Sequence, residues 1–237
     1  MTARTAIVTG GSRGIGRAIV RRLATDGARV IFSYRDNKDA ADSLTAELDN
    51  VVPVRADQAD LTSIDALFEA ASDGLDILVN NAATARLVPI EEVTAEDVAQ
   101  VMTVNATYPL LAMRRAATLM RDNGRIVNIS TLNTVVPGPG IALYAGSKGA
   151  LEQYTAVAAR EFGPRSITVN TVSPGSTDTD MFRAANPPEA ADRATAFTAL
   201  RRLGQPDDIA NVVAFLASPD AAWITGQNIR ATGGLIV

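Results

Sequence analysis

The fold is decided at residues 9–16, which read Thr9-Gly10-Gly11-Ser12-Arg13-Gly14-Ile15-Gly16. A strand-like run, Thr5–Thr9, leads into this turn, and an amphipathic segment, Arg17–Asp26, follows it, with Gly27 placed as a C-cap glycine. Glycines let a backbone bend tightly and approach a pyrophosphate, whose charge the N-terminus of the next helix stabilises. Glycines can also simply terminate a strand, but a second strand at Ala28–Ser33 completes the context of a dinucleotide-binding turn.

The alternation of strand and helix continues along the chain. Short apolar or β-branched runs recur, most of them separated by helix-length amphipathic segments, at Thr5–Thr9, Ala28–Ser33, Val51–Arg55, Leu75–Val79, Gly124–Ser130, Ser166–Thr171 and Asn228–Ala231. This alternation indicates βαβ units and a parallel sheet covered on both faces. We therefore expect one α/β domain over residues 1–237, a doubly wound parallel sheet of the Rossmann type, with its ligand crevice at the carboxyl ends of the strands.

Three helix starts are marked in the sequence. Thr62-Ser63-Ile64-Asp65 and Thr94-Ala95-Glu96-Asp97 resemble capping boxes in which Asp replaces Glu. Pro206 suits the first turn of a helix. Each of these signals predicts a helix that begins at or just after the marked residue.

The composition narrows the possible chemistry. The chain has 237 residues, 47% of them hydrophobic, and can bury one sizeable core. It has no cysteine and no histidine, which excludes disulfides, a Ser-His-Asp triad and the usual zinc sites. Tyr, Lys, Asp and Glu remain for proton transfer, and no metal is expected. The net charge is -4 and the basic residues are scattered, which argues against nucleic acid as a partner.

The sequence carries no signal for a membrane or for export. Met1–Arg4 runs straight into a strand-like stretch without the apolar h-region of a signal peptide. No apolar run approaches the roughly 20 residues that span a bilayer. We therefore expect a cytoplasmic protein without a membrane partner.

The end of the second strand indicates which dinucleotide is bound. An NAD site normally has Asp or Glu there, which accepts a hydrogen bond from the ribose 2′-hydroxyl. Here the strand ends with Tyr34 and Arg35, and no acid precedes Asp36. Arg35 and Arg13 can flank a 2′-phosphate, because guanidinium groups bind phosphate in a bidentate manner. This pattern favours NADP(H), and the alternative is that both arginines are solvated surface residues.

Tyr144 and Lys148 are candidates for proton transfer. They are four residues apart, so on one helix they lie on the same face. A tyrosine with its ordinary pKa of about 10 is a poor base at neutral pH, but a nearby ammonium can lower that pKa. Taken alone, the pair could be an ordinary amphipathic pairing. Together with the glycine turn, it predicts that Tyr144 exchanges a proton with a substrate oxygen.

These motifs together resemble the short-chain dehydrogenase/reductase family, of the short branch that includes 3-ketoacyl-carrier-protein reductases. The resemblance covers nearly the whole chain, through Thr9–Gly16, Asn80-Asn81-Ala82, Asn105, Tyr144-Ala145-Gly146-Ser147-Lys148, Ser173-Pro174-Gly175, Thr179, Ile224-Thr225-Gly226 and Gly233-Gly234. It implies an NADP-dependent oxidoreductase that acts on a carbonyl or a secondary alcohol. In the reductive direction NADPH would deliver hydride while Tyr144 protonates the developing alkoxide.

The resemblance also implies roles for single residues. Lys148 would hydrogen-bond the nicotinamide ribose, and Asn105, in the middle of the long helix after Thr94, would hold a water that relays protons to Lys148. The alternatives for Asn105 are a helix kink or a satisfied buried amide. Asp57 would contact the adenine amino group and Asn81 the adenosine ribose, although either could be a turn residue. The remaining cofactor contacts would come from Gly10, Ser12, Arg13, Gly14, Ile15, Gly16, Tyr34, Arg35, Tyr144, Pro174, Gly175, Thr177 and Thr179, of which the last four residues form the loop expected around the nicotinamide carboxamide.

Two positions depart from the family pattern. The residue that orients the substrate is normally a Ser after the fifth strand, but counting from either side places Thr131 there, with Ser130 as its neighbour and the alternative. Thr keeps the hydroxyl that polarises a carbonyl and adds a methyl. The family's usual Gly after Asn-Asn-Ala is Ala83, whose methyl crowds the backbone beside the cofactor.

The expected substrate is a small-molecule ketone or alcohol, and the segment around residues 176–200 is expected to act as its lid. The alternatives to an enzyme are a catalytically weak NADP(H) sensor and an oligomeric scaffold with a structural cofactor. The resemblance implies a homo-oligomer, namely a tetramer, built on the helices that contain Asn105 and Tyr144. An apolar register is compatible with this packing or with burial against the chain's own sheet, namely Ala150, Leu151, Tyr154, Val157 and Ala158.

Overall fold

The computed structural model describes residues 3–235, which form a seven-stranded sheet. The strands are β1 (Thr5–Val8), β2 (Arg29–Tyr34), β3 (Val51–Arg55), β4 (Leu75–Asn80), β5 (Met120–Ile129), β6 (Thr168–Pro174) and β7 (Asn228–Ala231). Every pairing is parallel, and the order across the sheet is β3-β2-β1-β4-β5-β6-β7. The predicted doubly wound parallel sheet is therefore confirmed.

Helices cover both faces of this sheet. They are α1 (Gly14–Thr25), α2 (Lys38–Glu47), α3 (Ser63–Glu69), α4 (Ala95–Met102), α5 (Tyr108–Leu119), α6 (Ala142–Phe162), α7 (Asp180–Ala185), α8 (Glu189–Phe197) and α9 (Pro206–Ala217). One core layer packs α1, α2 and α9 on the sheet and includes Ile19 and Val213. The other packs α3, α5 and α6 and includes Leu67 and Ala112. Because both faces are covered, β1 is buried at every position.

The predicted helix starts have different outcomes. At α4 the capping box is present, because Thr94 Oγ1 accepts from the Asp97 N–H at 3.1 Å and the Asp97 carboxylate accepts from the Thr94 N–H at 3.3 Å. Helix α9 begins at Pro206 as predicted. The capping box at Thr62 is wrong, because the Thr62 N–H and hydroxyl both donate to Asp60 Oδ1 while Thr62 itself has helical backbone angles.

Several strand boundaries also differ from the prediction, most of all at β5 and β6. Strand β5 begins at Met120, which pairs with Leu75 before an irregularity in the register. Strand β6 begins at Thr168 because Ser166 has a φ of 56°, a left-handed conformation that cannot continue into a strand. These two changes lie at the amino ends of the strands, whereas at the edge where the site is expected β6 extends to Pro174, beyond the predicted end at Thr171.

The apolar register of α6 is divided between two environments. Leu151 and Ala158 are buried within the chain itself, which is the second of the two environments expected for this register. Val157 is 55% exposed, and Tyr154 packs only partly against the core. Val157 and part of Tyr154 therefore lie on the surface of the described chain, where another subunit could contact them.

The topology places the functional loops together. Strand β1 has β2 on one side and β4 on the other, so the strand order reverses at β1. In doubly wound sheets, ligands bind outside the carboxyl ends of the strands at this reversal. Among residues 3–235, no helix has both the length and the apolar character needed to cross a membrane.

Candidate active site

The turn after β1 has a backbone that only glycine allows. Gly10 and Gly14 have φ values of 67° and 52°. At Gly16 a Cβ would lie 2.1 Å from the Gly10 carbonyl oxygen, so the start of α1 packs directly on the turn. The Gly10 N–H donates to Ser33 Oγ at 2.9 Å, which fixes the turn to β2. This geometry holds the main chain of the turn open toward a ligand.

The N-terminus of α1 fits a pyrophosphate. Its N-cap residue, Arg13, has an extended backbone and makes no side-chain capping bond, and the first turn has no acidic residue. The first N–H groups of a helix need an acceptor, and an anion satisfies them. Thr179 lies across from this turn, since a Cβ on Gly14 would be 3.6 Å from Thr179 Cγ2. The crevice is therefore bounded by the glycine turn and by the loop after β6.

Arginines gather at the end of β2. Arg13 is exposed, and Arg35 Nε donates to Asp36 Oδ2 at 2.5 Å, so Arg35 is already paired with a carboxylate. Arg55, which the sequence analysis missed, donates from Nε to the Arg35 carbonyl at 3.3 Å. It lies there because β3 pairs in parallel with β2, with Tyr34 opposite Arg55. The position of Arg55 at the end of the predicted strand next to β2 is the sequence signal that could have identified it.

Asp57 and Asn81 make contacts within the protein. Asp57 Oδ1 accepts from the Ala59 N–H at 2.9 Å, which is the turn contact given above as its alternative. Asn81 Nδ2 donates to the carbonyls of Thr9 and Gly10, at 2.9 and 3.2 Å. Asn81 therefore braces the glycine turn from β4. The cofactor contacts of both residues remain predictions.

Tyr144 and Lys148 lie one turn apart on α6, as predicted. Lys148 is only 2% exposed, and its Nζ donates to the Ile129 carbonyl at 2.8 Å. Burial lowers the pKa of Lys148 to about 8, against an opposing effect of Glu152. Burial raises the pKa of Tyr144, and a hydrogen bond with Thr131 opposes this rise. The expected lowering of the Tyr144 pKa by Lys148 is not found, because desolvation dominates and the ammonium is directed at Ile129.

The two candidate hydroxyls after β5 point in different directions. Thr131 faces Tyr144 and opposes the rise in its pKa, whereas Ser130 Oγ donates to Glu152 Oε1 at 2.6 Å. Thr131 Oγ1 also accepts from the Asn133 N–H at 3.3 Å, at the start of a short 3₁₀ turn. The hydroxyl beside the tyrosine is therefore that of Thr131.

Asn105 lies in a π-helical segment, Thr103–Thr107, and not in the middle of a continuous α-helix as expected. It is fully buried, and its Oδ1 accepts from the Thr84 N–H at 2.9 Å. Its Nδ2 donates to the Thr84 carbonyl at 2.8 Å and to Ser147 Oγ at 3.0 Å. Both alternatives, a helix irregularity and a satisfied amide, are present together. The amide ties the loop that contains Ala83 to α6.

The loop after β6 closes the site on the remaining side. Thr177 is buried, and its hydroxyl donates to the Gly175 carbonyl at 3.0 Å. Thr179 caps α7, accepting from the Phe182 N–H at 3.2 Å. Helices α7 and α8 follow, and they have no buried residue. Phe197, at the end of α8, is 75% exposed, and the role of this segment as a lid remains a prediction.

Comparison with known proteins identifies close relatives of this arrangement. A family model described as "Enoyl-(Acyl carrier protein) reductase" matches residues 10–236. An uncharacterized oxidoreductase of Methylorubrum extorquens is 43% identical, over 99% of this chain and 98% of that protein. The angucycline C-6 ketoreductase LanV, crystallised with NADP, is 41% identical with a TM-score of 0.92, over 98% and 95% of the two chains. A short-chain dehydrogenase/reductase of Serratia marcescens is 42% identical with a TM-score of 0.91, over 98% and 97%.

Proposed function

This chain belongs to the short-chain dehydrogenase/reductase family, and on that premise we propose that it reduces a small-molecule ketone with NADPH, with Tyr144 as the proton donor. One observation carries the proposal. Thr131 faces Tyr144, which lies one turn before the buried Lys148 on α6, at the same sheet edge as the uncapped N-terminus of α1. This arrangement supports the proposal that Tyr144 acts as proton donor beside a dinucleotide site.

The residues of the crevice fit NADP(H). The glycine turn and the N-terminus of α1 would hold the pyrophosphate, and Arg13 with Arg35 would flank the 2′-phosphate. Lys148 would hydrogen-bond the nicotinamide ribose, and the loop from Pro174 to Thr179 would hold the carboxamide. When bound, NADPH supplies the hydride that reduces the carbonyl carbon.

The protein's own groups handle the substrate oxygen. Thr131 and Tyr144 would both donate hydrogen bonds to it, which stabilises the negative charge that develops there. Because burial raises the pKa of Tyr144, this tyrosine is protonated at neutral pH and can give its proton to the oxygen. Lys148, with a pKa of about 8, carries most of its charge at neutral pH and favours the resulting phenolate. Asn105 would hold a water on the path by which that proton is replaced.

The presence of Asn105, Thr131, Tyr144 and Lys148 in one arrangement favours an enzyme over a cofactor sensor or a scaffold. A panel of ketones, including fused-ring aromatic ketones and 3-ketoacyl esters, should be screened by the absorbance of NADPH. We expect turnover of at least one member, and loss of it in Tyr144→Phe with NADPH affinity retained. Full activity in Tyr144→Phe would show that the acid assignment is wrong, and NADPH binding without any turnover would favour the sensor.

We also propose a homotetramer in which the α5–α6 groove packs against a second copy. This groove has a volume of about 350 Å³ and is lined by Leu110, Met113, Arg114, Ala117, Tyr154, Val157, Ala158, Glu161 and Phe162. Its rim includes exposed apolar side chains, with Leu110 41% and Val157 55% exposed, as is common at interfaces. Light scattering should give a multiple of the chain mass, and Val157→Glu should reduce it. A monomeric mass at micromolar concentration would contradict the proposal.

Cytoplasmic localisation also remains a prediction, which cell fractionation tests.

A further inference from the structure

Glu152 lies between the two halves of the site. It is on α6, one turn after Lys148. Its Oε1 accepts hydrogen bonds from Ser130 Oγ at 2.6 Å and from Thr134 Oγ1 at 2.8 Å. Ser130 and Thr134 flank Thr131 in the turn that follows β5. A single carboxylate therefore lies on the same face of α6 as the lysine and is hydrogen-bonded to the hydroxyl-bearing turn.

The turn depends on this carboxylate for its shape. The Ser130 contact has the short length of a charge-assisted hydrogen bond to an anion. The Thr134 hydroxyl has one proton, and it lies closer to Glu152 than to the Thr131 carbonyl, which is 3.2 Å away. Apart from Tyr144, which it faces, Thr131 Oγ1 is contacted by the Asn133 N–H at 3.3 Å. The position of the Thr131 hydroxyl beside Tyr144 therefore follows from the two hydroxyls that bind Glu152.

The same carboxylate favours the charged form of the lysine, because Lys148 and Glu152 lie four residues apart on one face of α6. A buried ammonium is stable only where an opposite charge compensates the lost hydration. Glu152 is the charged side chain that raises the pKa of Lys148 against the effect of burial. Strand β5 contributes a neutral group, the Ile129 carbonyl. Tyr144, on the same helix, is the other titratable group of the site.

We propose that Glu152 is a positioning residue of the reductase site, the electrostatic partner of Lys148 and the anchor of the turn that presents Thr131. Glu152 acts through these two residues and not on the reacting atoms. The effect on turnover rests on the proposed function. The link between Glu152 and Lys148 belongs to the folded protein and can be measured without any substrate.

The lysine content of the chain makes this measurement direct. The sequence has two lysines, Lys38 and Lys148, so protein labelled with ¹³C-lysine gives two sets of side-chain signals. Lys38 is exposed and pairs with Asp42 at 2.6 Å, which makes it an internal reference. In Glu152→Gln the amide oxygen still accepts from Ser130 and Thr134, while the charge is lost. We expect the Lys148 midpoint to fall by about one pH unit or more, the shift typical of losing a nearby opposite charge, while Lys38 is unchanged.

Measurements of turnover test whether Glu152 anchors the turn that presents Thr131. In Glu152→Gln the alkaline limb of kcat/KM should move to lower pH with the Lys148 midpoint. In the Ser130→Ala, Thr134→Val double variant we expect kcat to fall about tenfold or more, because the turn loosens, while the Lys148 midpoint stays in place. Glu69→Gln removes an exposed carboxylate at the end of α3 and should change neither quantity.

The outcomes separate this inference from the proposed function. An unchanged Lys148 midpoint in Glu152→Gln overturns the electrostatic link, whether or not the protein reduces ketones. Wild-type kcat in the double variant overturns the anchoring of Thr131. If the wild type reduces no ketone, the proposed function fails while the lysine titration still decides. If Glu152→Gln does not fold, Glu152→Asp replaces it, since the charge remains but the anchor is shortened, and wild-type kcat there would also overturn the anchor.

Discussion

Replacing Gly16 by alanine should damage the dinucleotide site by a predictable amount. The added Cβ would lie 2.1 Å from the Gly10 carbonyl oxygen and 2.5 Å from Asn81 Nδ2, whereas Cβ atoms are essentially never closer than 3.0 Å to such neighbours. The carbonyl is backbone, so the turn itself must retreat by about 0.9 Å, the difference between 3.0 and 2.1. That movement would break the Asn81 bond to Gly10 and the Gly10 bond to Ser33. Overpacking of this kind costs about 1–3 kcal/mol, and a misplacement of about 1 Å at a site costs about 10²-fold.

The assay is NADPH fluorescence titration together with thermal unfolding. For a chain of this size, we expect Gly16→Ala to lower the Tm by about 2–12 °C and to weaken NADPH binding by at least tenfold. Gly149→Ala is the matched control, because a Cβ there meets nothing within 4 Å and alanine is preferred to glycine inside a helix. The control should raise the Tm slightly. Wild-type affinity and Tm in Gly16→Ala would refute the argument that this turn admits only glycine.

Three further predictions follow from the site. Thr131→Val should lower kcat by about 10²–10³-fold with NADPH affinity retained, whereas Thr131→Ser should stay active; a larger loss in Ser130→Ala than in Thr131→Val would reverse the assignment. NADPH should bind at least about tenfold more tightly than NADH, and equal affinities by titration, or an unchanged preference in an Arg13→Ala, Arg35→Ala double variant, would contradict the role of these arginines. Burial lowers the pKa of Lys148 to about 8, so as the pH rises the folded state releases the ammonium proton before the unfolded state does. The charged Lys148 therefore destabilises the folded state below pH 8. This destabilisation shrinks as the pH rises from 8 to the ordinary pKa of lysine. Lys148→Met should therefore gain stability over the wild type at pH 7 in urea unfolding, and a gain that does not narrow at pH 9.5 would show that the lysine is not titrating as described.

Much of the fold followed from the sequence because its signals are local. The alternation of apolar runs with amphipathic segments predicted all seven strands, and the glycine turn was identified from the strand before it and the helix after it. The spacing of four residues predicted that Tyr144 and Lys148 share one face of a helix, and the glycine turn and the other motifs were needed to predict their role. Thr131 was placed by counting, and its position beside the tyrosine agrees with that count.

The sequence did not disclose contacts between distant segments. Glu152 follows Lys148 by one turn, but its bonds to the turn after β5 span 18 and 22 residues of sequence. Arg55 reaches the end of β2 through strand pairing. The capping box at Thr62 failed because Asp60, two residues earlier, competes for the same donors. In each case a side chain had several hydrogen-bonding partners or neighbours within reach, and which one it contacts depends on the packing of the folded chain.

The π-helical turn at Thr103–Thr107 amounts to one extra residue inserted into a helix. Because each residue of an α-helix advances the face by about 100°, an inserted residue rotates everything after it by that angle. The buried faces of α4 and α5 are therefore rotated relative to each other. A single helical wheel drawn through both helices would assign the side chains of one of them to the wrong face. Deleting one residue here would restore regular hydrogen bonding along the helix but would turn the amide of Asn105 away from Thr84 and Ser147. A regular helix without the extra residue would therefore lose the hydrogen bonds through which Asn105 links the loop after β4 to α6, the helix that contains Tyr144.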